Sequence, residues 1–190
     1  MEKQLAQRDS DIIRIVLYGP ESTGKTTLSK ALAAHYNTCW VPEYMRVFLE
    51  SKPLNPEEEL VTYQELLPIA RGQMQTENKK LEEANTFLFC DTNLLELQVY
   101  AQYYFGKSPD DLSAYSIKNT YDLYILTHID TPWEPDGLRD RPEDREEMFI
   151  LFEQKLIDNN LPYITVKGNE NERLSFAISQ IDMLFDSVTE

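Results

Sequence analysis

The chain has 190 residues, with 33 acidic and 18 basic side chains and a formal net charge of −15. This length suits one α/β domain, so we expect a single domain over residues 1–190, with residues 1–11 as an N-terminal extension. The negative charge disfavours nucleic acid and anionic membrane surfaces as partners. No signal peptide or membrane span is indicated, and two cysteines and two histidines are too few for a disulfide framework or zinc chemistry. Composition therefore predicts a cytoplasmic protein and leaves the oligomeric state open.

Apolar runs rich in β-branched and aromatic residues alternate with segments of helical periodicity. The runs are Ile12 to Tyr18, Thr38 to Val41, Thr86 to Cys90, Tyr121 to Thr127 and Tyr163 to Val166. Such alternation is typical of an α/β domain, and it predicts a five-stranded, mostly parallel sheet with helices on both faces.

A phosphate-loop motif follows the first predicted strand. The residues Gly19-Pro20-Glu21-Ser22-Thr23-Gly24-Lys25-Thr26 fit the pattern G-x-x-x-x-G-K-[ST]. The glycines let backbone N–H groups turn toward a β-phosphate, Lys25 can span the β- and γ-phosphates, and the Thr26 hydroxyl can reach Mg²⁺. With a strand before it and a helical pattern after it, the motif predicts a P-loop NTPase fold that binds a nucleoside triphosphate.

Polar and aromatic residues cluster where the second predicted strand ends. Glu43 is placed to accept a proton from a substrate hydroxyl, and Arg46, one helical turn later, to bind a phosphate or sugar oxygen. Tyr44 or Trp40 is suited to stacking on a flat ring. An alternative remains open, in which Glu43 only begins a helix and pairs with Arg46.

The segment before the third strand is predicted to be helical in two parts. Asn55, Pro56 and the acids after them have the composition of a helix start, and an apolar stripe continues from Leu60 to Leu81. Pro68 is expected to break or kink this stripe. These helices belong either to a substrate-binding lobe or to the cover of one sheet face.

Asp91, Thr92 and Asn93 end the third strand at the carboxyl edge of the sheet, where ligands of such sheets bind. Asp91 can hold a water ligand of Mg²⁺. A hydrolytic ATPase would carry a water-activating Glu after this Asp, and Thr92 in that position argues against such an enzyme. The next helix carries three tyrosines that are predicted to face the core rather than a pocket: Tyr100, Tyr103 and Tyr104.

The fourth strand leads into Thr127-His128-Ile129-Asp130, which lacks the Lys of the guanine-reading motif [NT]-K-x-D and so argues against GTP. A kinase needs arginines that close over the transferring phosphoryl group and exclude water. Arg139, Arg141 and Arg145 can supply them from a predicted lid over about residues 129–145. This pattern favours a kinase over a hydrolase, while a solvated loop whose arginines pair with nearby acids remains the alternative.

In these segments the chain resembles the ribosylnicotinamide kinase domain of the NadR group, a P-loop, nucleoside-kinase-like family. The resemblance covers most of the chain, from about Ile13 to the last helix. The matching pieces are the phosphate loop from Glu21 to Lys25, Glu43-Tyr44-x-Arg46-x-Phe48, Asp91-Thr92, Trp133-x-x-Asp136-Gly137-Leu138-Arg139 and Leu161-Pro162-Tyr163-Ile164. Pro42 stands where family members carry a Trp, which leaves Trp40 as an alternative residue for stacking on the nicotinamide ring.

The resemblance implies phosphorylation of nicotinamide riboside to nicotinamide mononucleotide, with ATP and Mg²⁺. The implied catalytic residues are Lys25, Glu43, Asp91, Arg139 and Arg141. The implied ATP ligands are Gly19, Glu21, Ser22, Thr23, Gly24, Lys25, Thr26, Thr27 and Arg145, with Mg²⁺ near Thr26 and Asp91. The small-molecule substrate is expected to contact Trp40, Glu43, Tyr44, Arg46, Asp91 and Asn93.

Some choices remain open at this level. Either Glu43 or Asp91 can be the base, and the loop Lys167-Gly168-Asn169 is a positional candidate for adenine contacts. A kinase for another small nucleoside or alcohol shares every generic motif, as does a regulatory ATPase that binds ATP without rapid turnover. The larger family members also carry an adenylyltransferase domain, whereas no His-x-Gly-His motif occurs in this sequence.

Overall fold

A computed structural model describes residues 4–52, 60–133 and 144–189. The strands are β1 (Ile13–Tyr18), β2 (Trp40–Val41), β3 (Phe87–Asp91), β4 (Leu123–Thr127) and β5 (Tyr163–Val166). The helices are α1 (Lys25–His35), α2 (Tyr44–Glu50), α3 (Leu66–Lys80), α4 (Leu94–Phe105), α5 (Asp110–Lys118), α6 (Arg145–Asp158) and α7 (Glu170–Thr189). None of the helices in these ranges is long and apolar enough to cross a membrane.

The five strands form one sheet in the order β2-β3-β1-β4-β5. All four strand pairs are parallel, so the α/β architecture predicted from the sequence is confirmed. The central strand β1 has β3 on one side and β4 on the other, which makes its carboxyl end the point where the strand order reverses. Ligands of doubly wound sheets bind at such a point, and the phosphate loop begins there.

Alternate residues of β1 enter two separate cores. Ile13, Ile15 and Leu17 pack with residues of α1 and α7 on one face of the sheet. Val16 and Tyr18 pack with residues of α4 and α6 on the other face. Because helices cover both faces, β1 is buried along its whole length, which explains its nearly continuous apolar sequence.

A third core joins α3, α4 and α5 to the N-terminal segment. Leu5 is 1% exposed within it. Asn119 donates a side-chain hydrogen bond to the carbonyl oxygen of Leu5 (2.8 Å), and Gln7 donates one to Glu77 (2.9 Å). The described part of the predicted N-terminal extension is therefore packed against the helices that precede β3 and β4.

Two predicted elements differ in detail from the structure. β2 is shorter than predicted, because the Thr38 N–H donates to the carbonyl oxygen of Ala33 at the end of α1 (2.9 Å) and is not available to the sheet. Pro68 lies in the first turn of α3, where its missing N–H has no helical partner, so it begins the helix rather than breaking it. The predicted helix start at Asn55 lies outside the described residues.

The close contact between α2 and α3 depends on Gly72. A Cβ atom at this position would lie 2.0 Å from Cε1 of Tyr44. We expect Gly72→Ala to displace Tyr44 and to lower the free energy of unfolding by about 1–3 kcal/mol, although alanine favours helices by about 1 kcal/mol. Urea denaturation measures the change. The control Gln75→Ala, at an exposed position of α3, should alter stability by less than about 0.5 kcal/mol. If Gly72→Ala leaves the free energy of unfolding unchanged, the expected clash between a Cβ at residue 72 and the Tyr44 ring is contradicted.

Candidate active site

The phosphate loop connects β1 to α1 with a backbone shape suited to an anion. Ser22 and Gly24 have positive φ angles of 58° and 80°. Left-handed residues of this kind turn successive N–H groups toward one side, and the positive end of the α1 dipole lies behind them. Gly19 is required for a different reason, because a Cβ there would lie 2.9 Å from Oγ1 of Thr127 on β4.

Lys25 lies beside a buried carboxyl group that the sequence did not single out. Its Nζ donates to the carbonyl oxygens of Gly19 (2.6 Å) and Pro20 (2.8 Å), and lies 3.2 Å from Oε1 of Glu96. The N–H of Gly19 donates to Oε2 of the same Glu96 (3.3 Å). Glu96, in the first turn of α4, therefore holds both the first glycine and the lysine of the phosphate loop.

Burial dominates the electrostatics of Glu96, which is 3% exposed. Burial raises its pKa from 4.5 to about 8, against the attraction of Lys25, and the nearby carboxylates of Glu43 and Asp91 add to the rise. One sequence signal could have revealed this residue. Glu96 is the lone charged residue in the run Leu94-Leu95-Glu96-Leu97, at the start of a helix that is buried at its first positions.

Asp91 and Thr26 form the second polar pair of the site. The Thr26 hydroxyl donates to Oδ2 of Asp91 (2.5 Å), while Oδ1 is buried with no hydrogen-bond partner among the described residues. Burial raises the pKa of Asp91, and the hydrogen bond from Thr26 opposes the rise. A hydroxyl beside a carboxylate with an open oxygen fits a hard cation such as Mg²⁺, which commonly takes one or two protein oxygens besides phosphate and water. The described ranges contain no cluster of three metal-binding side chains, so an all-protein cage is not formed there.

Arg173 of α7 joins three loops at the carboxyl edge of the sheet. Its guanidinium donates to the carbonyl oxygens of Thr23 (2.6 Å), His128 (2.8 Å) and Gly168 (2.8 Å), and pairs with Asp130. The side chain is 3% exposed. One buried cation thus fixes the phosphate loop relative to the loops after β4 and β5. Sequence reasoning did not identify it, because a single Arg in a helix pattern gives no spacing signal.

Of the three predicted lid arginines, Arg145 lies in the described part of the chain. It donates to the carbonyl oxygens of Thr131 (2.9 Å) and Ser22 (3.3 Å), which places it against the phosphate loop. Arg139 and Arg141 lie outside the described residues. Of the predicted lid, the structure therefore describes only the two ends, residues 129–133 and 144–145.

A cleft of about 790 Å³ opens along this edge and has two chemically different ends. In the sheet, β4 and β5 lie on one side of β1, whereas β2 and β3 lie on its other side. This strand order separates the two ends of the cleft. One end is formed by Thr131 and Pro132 from the loop after β4, by Asn169 from the loop after β5, and by Glu170, Asn171 and Arg173 at the start of α7. The opposite end is formed by α2, α4 and neighbouring residues, including Glu43, Met45, Arg46, Leu49, Leu66, Glu96, Leu97, Tyr100, Tyr104 and Phe105. The phosphate loop lies between them.

The opposite end combines an acid, a base and aromatic rings. Glu43 is the residue that precedes α2, and Arg46 follows about one turn later. The rings of Tyr100 and Tyr104 stack with centroids 6.1 Å apart and an interplanar angle of 19°. The expectation that the tyrosines of α4 face the core is wrong for Tyr104, which is 38% exposed and lines the cleft. Tyr100 contacts both a core and the cleft.

Three predicted substrate residues have other contacts. Trp40 packs against the core below α1, with Nζ of Lys30 5.0 Å from its ring centroid, and it does not line the cleft. Tyr44 packs on Gly72 and likewise does not line it. Asn93 accepts a hydrogen bond from the Glu96 N–H (3.1 Å) and caps α4. The structure thus brings Glu43 and Arg46 to the cleft and directs Trp40 and Tyr44 away from it.

A family model described as an AAA domain matches residues 14–173. The chain belongs to this AAA domain family. Along the sequence it is similar to the trifunctional NAD biosynthesis/regulator protein NadR of Escherichia coli (strain K12), with 32% identity over 158 residues. The match covers 82% of this chain and 38% of NadR, so the chain spans well under half of that relative.

Solved structures of NadR have the same fold as this AAA domain protein. One, NadR in complex with NR, superposes with a TM-score of 0.76 at 22% identity, over 91% of this chain and 51% of the other. A second, NadR in complex with NAD and AMP-PNP, gives a TM-score of 0.73 at 20% identity, over 91% and 49% of the two chains. These likenesses show the architecture of the described residues.

The raised pKa of Glu96 predicts how stability depends on pH. Between pH 4.5 and about 8 the folded chain keeps a proton on Glu96 that the unfolded chain releases, so this residue's contribution to stability falls as pH rises through that window. We expect the stability of wild type relative to Glu96→Gln to fall by up to about 4 kcal/mol from pH 5 to pH 8.5, since each pH unit between the unfolded and folded pKa is worth about 1.4 kcal/mol. Urea unfolding at several pH values measures this difference.

Glu147→Gln is a matched control, because Glu147 is exposed on α6. An exposed side chain contributes little to folding, so Glu147→Gln should change stability by less than about 0.5 kcal/mol. A relative stability of Glu96→Gln that stays flat or runs in the opposite direction would show that Lys25 keeps Glu96 ionised throughout.

Proposed function

We propose that this chain is a kinase that transfers the γ-phosphoryl group of ATP to the ribose 5′-hydroxyl of nicotinamide riboside, forming nicotinamide mononucleotide. One observation carries the proposal: a single continuous cleft has the phosphate loop at its centre and an acid-bearing, aromatic surface at one end. Donor and acceptor sites that share one cleft allow direct transfer between them. We propose further that residues 1–190 act as one kinase domain, corresponding to the part of NadR that the chain matches.

The donor site is proposed to be the phosphate loop with the loops after β4 and β5. Gly19, Glu21 and the residues from Ser22 to Thr27 surround the phosphates, and Lys25 moves from its internal carbonyl partners to the β- and γ-phosphates. Asn169, which lines the cleft beyond the phosphate loop, is suited to the adenine side. NadR crystallised with AMP-PNP supports an adenine nucleotide as the donor. Arg145, together with Arg139 and Arg141, is proposed to neutralise charge on the transferring group.

Thr26 and Asp91 are the proposed ligands of Mg²⁺, either directly or through water. The open oxygen of Asp91 beside the Thr26 hydroxyl is the observation that supports them. When bound, the ion neutralises charge on the β- and γ-phosphates. Asp91 is thereby committed to the donor side, which favours Glu43 over Asp91 as the residue that accepts the substrate proton.

The acceptor site is proposed to lie between α2 and α4. The stacked rings of Tyr100 and Tyr104, with apolar neighbours in the same wall, are suited to a flat pyridinium ring through stacking and cation–π attraction. The two tyrosines are proposed to replace the aromatic surface that a Trp provides in family members, where this chain has Pro42. Glu43 is placed to take the proton of the ribose hydroxyl, and Arg46 to bind an oxygen of the acceptor or of the transferring phosphate.

Phosphoryl transfer to an organic acceptor is favoured over hydrolysis by the residues around Asp91. Thr92 follows Asp91, where a hydrolytic enzyme places a base that activates water. The cleft volume of about 790 Å³ lies in the upper part of the range for small-molecule sites, which suits a nucleotide and a second ligand. Although the chain belongs to a family described as an AAA domain, it has Thr92 and not a water-activating Glu after Asp91.

The direct test is an ADP-formation assay with purified protein, MgATP and nicotinamide riboside. We expect riboside-dependent ADP formation, and loss of at least about 100-fold in Lys25→Ala, because the charge that spans the β- and γ-phosphates is removed. Lys79→Ala, at an exposed position of α3, is the control and should retain activity. A panel of other nucleosides separates riboside specificity from a general nucleoside kinase. Absence of phosphorylated product with nicotinamide riboside refutes the proposal.

The two carboxylates should give different kinetic signatures. We expect Glu43→Gln to lower kcat by about 100- to 10,000-fold with little change in the KM for ATP, since general-base catalysis contributes that range. Asp91→Asn should instead raise the Mg²⁺ concentration needed for half-maximal rate. Steady-state kinetics at varied ATP, acceptor and Mg²⁺ separate the two effects, and the reverse pattern would exchange the roles of Glu43 and Asp91.

A further inference from the structure

A small cavity lies beside the acceptor end of the cleft, the end formed by α2 and α4, and is bordered by α2, α3 and the start of α4. Its volume is about 20 Å³, enough for one water molecule or one hydroxyl group. The residues that line both this cavity and the main cleft are Glu43, Met45, Glu96, Leu97 and Tyr100. Its remaining polar walls are Gln73, Thr92 and Asn93. These shared walls place the cavity within reach of a ligand at the acceptor end.

Gln73 of α3 brings an unused donor to this cavity. The side chain is 4% exposed. Its Oε1 accepts the N–H of Tyr44 (2.7 Å), which fixes the orientation of the amide and leaves Nε2 as the remaining donor group. Nε2 is buried, and none of the described residues accepts a hydrogen bond from it. A buried donor without an acceptor is energetically unfavourable. A Gln at this position is therefore explained best by an acceptor that is not part of the chain.

The other polar groups of the cavity narrow the chemistry of that partner. Asn93 is committed, since Nδ2 donates to the hydroxyl of Tyr124 (3.3 Å) and Oδ1 caps α4. Glu43 and Glu96 supply carboxyl oxygens that can accept hydrogen bonds. A hydroxyl group both donates and accepts one, so it can satisfy a carboxyl oxygen and the Gln73 amide at the same time. A carboxylate or a phosphate of the ligand would instead be repelled by the carboxylate of Glu43.

We propose that Gln73 is a specificity-determining residue that donates a hydrogen bond to a ribose hydroxyl of the acceptor, at the 2′ or 3′ position. The inference rests on the proposed function, because it places the sugar of a riboside at the acceptor end. The inference adds to the proposed acceptor site a residue that contacts the ribose rather than the nicotinamide ring. Gln73 thereby selects ribosides over deoxyribosides and over acceptors that lack a sugar.

The experiment measures binding separately from turnover. Calorimetric titrations compare nicotinamide riboside with its 2′-deoxy and 3′-deoxy analogues, for wild type, Gln73→Glu and Gln73→Met. Gln73→Glu keeps an oxygen for the Tyr44 N–H and in its ionised form has no donor, whereas Gln73→Met removes both the acceptor and the donor. Wild type should bind the riboside at least about tenfold more tightly than one deoxy analogue, and both variants should lose most of that preference with ATP affinity unchanged.

Gln154→Glu, at an exposed position of α6, is the charge-matched control and should keep the wild-type preference. If the variants weaken riboside and deoxyriboside binding equally, Gln73 only supports α2 through Tyr44 and the inference is overturned. Lack of discrimination by wild type would mean that the cavity holds water alone, which also overturns it. Riboside preference without ADP formation would refute the proposed kinase activity and leave the role of Gln73 intact, while absence of any riboside binding refutes both.

Discussion

Lys25 is buried, so the fold must satisfy its ammonium group. It does so with two carbonyl oxygens of the phosphate loop and with Glu96, which also accepts the N–H of Gly19. Because burial raises the pKa of Glu96 to about 8, the group carries only part of a negative charge at neutral pH. It can therefore support the lysine without strongly repelling an incoming triphosphate, which a fully ionised carboxylate in the same place would do.

The remaining loops are arranged around this pair by the sheet. Parallel strands bring the ends of β1, β3, β4 and β5 to one edge, and Arg173 then fixes three of the connecting loops through their carbonyl oxygens. The donor end is thus held by buried backbone contacts. The proposed acceptor end is built mainly from side chains of α2 and α4.

Sequence reasoning recovered the parts whose signal is local. The five strands, the phosphate loop and the carboxyl-edge position of Asp91 follow from apolar periodicity and fixed spacing. Sequence reasoning did not identify Glu96, Arg173 and Gln73, because their contacts are with residues far away in the chain. Arg173, for example, donates a hydrogen bond to Thr23. Alternation along the short second strand likewise does not reveal which face meets α1, so the sequence did not place Trp40 against the core. The arginine lid and the role of each site residue stay predictions.

The two ends of the cleft differ in how firmly they are attached. The donor loops follow strands of four to six residues, whereas α2, which carries Arg46, follows an edge strand of two residues and is located by its packing on Gly72 and Gln73 of α3. Substitutions along the α2–α3 contact can therefore move the acceptor wall while the nucleotide site keeps its geometry. Under the proposed function, a library of substitutions confined to that contact is the route to an altered acceptor range.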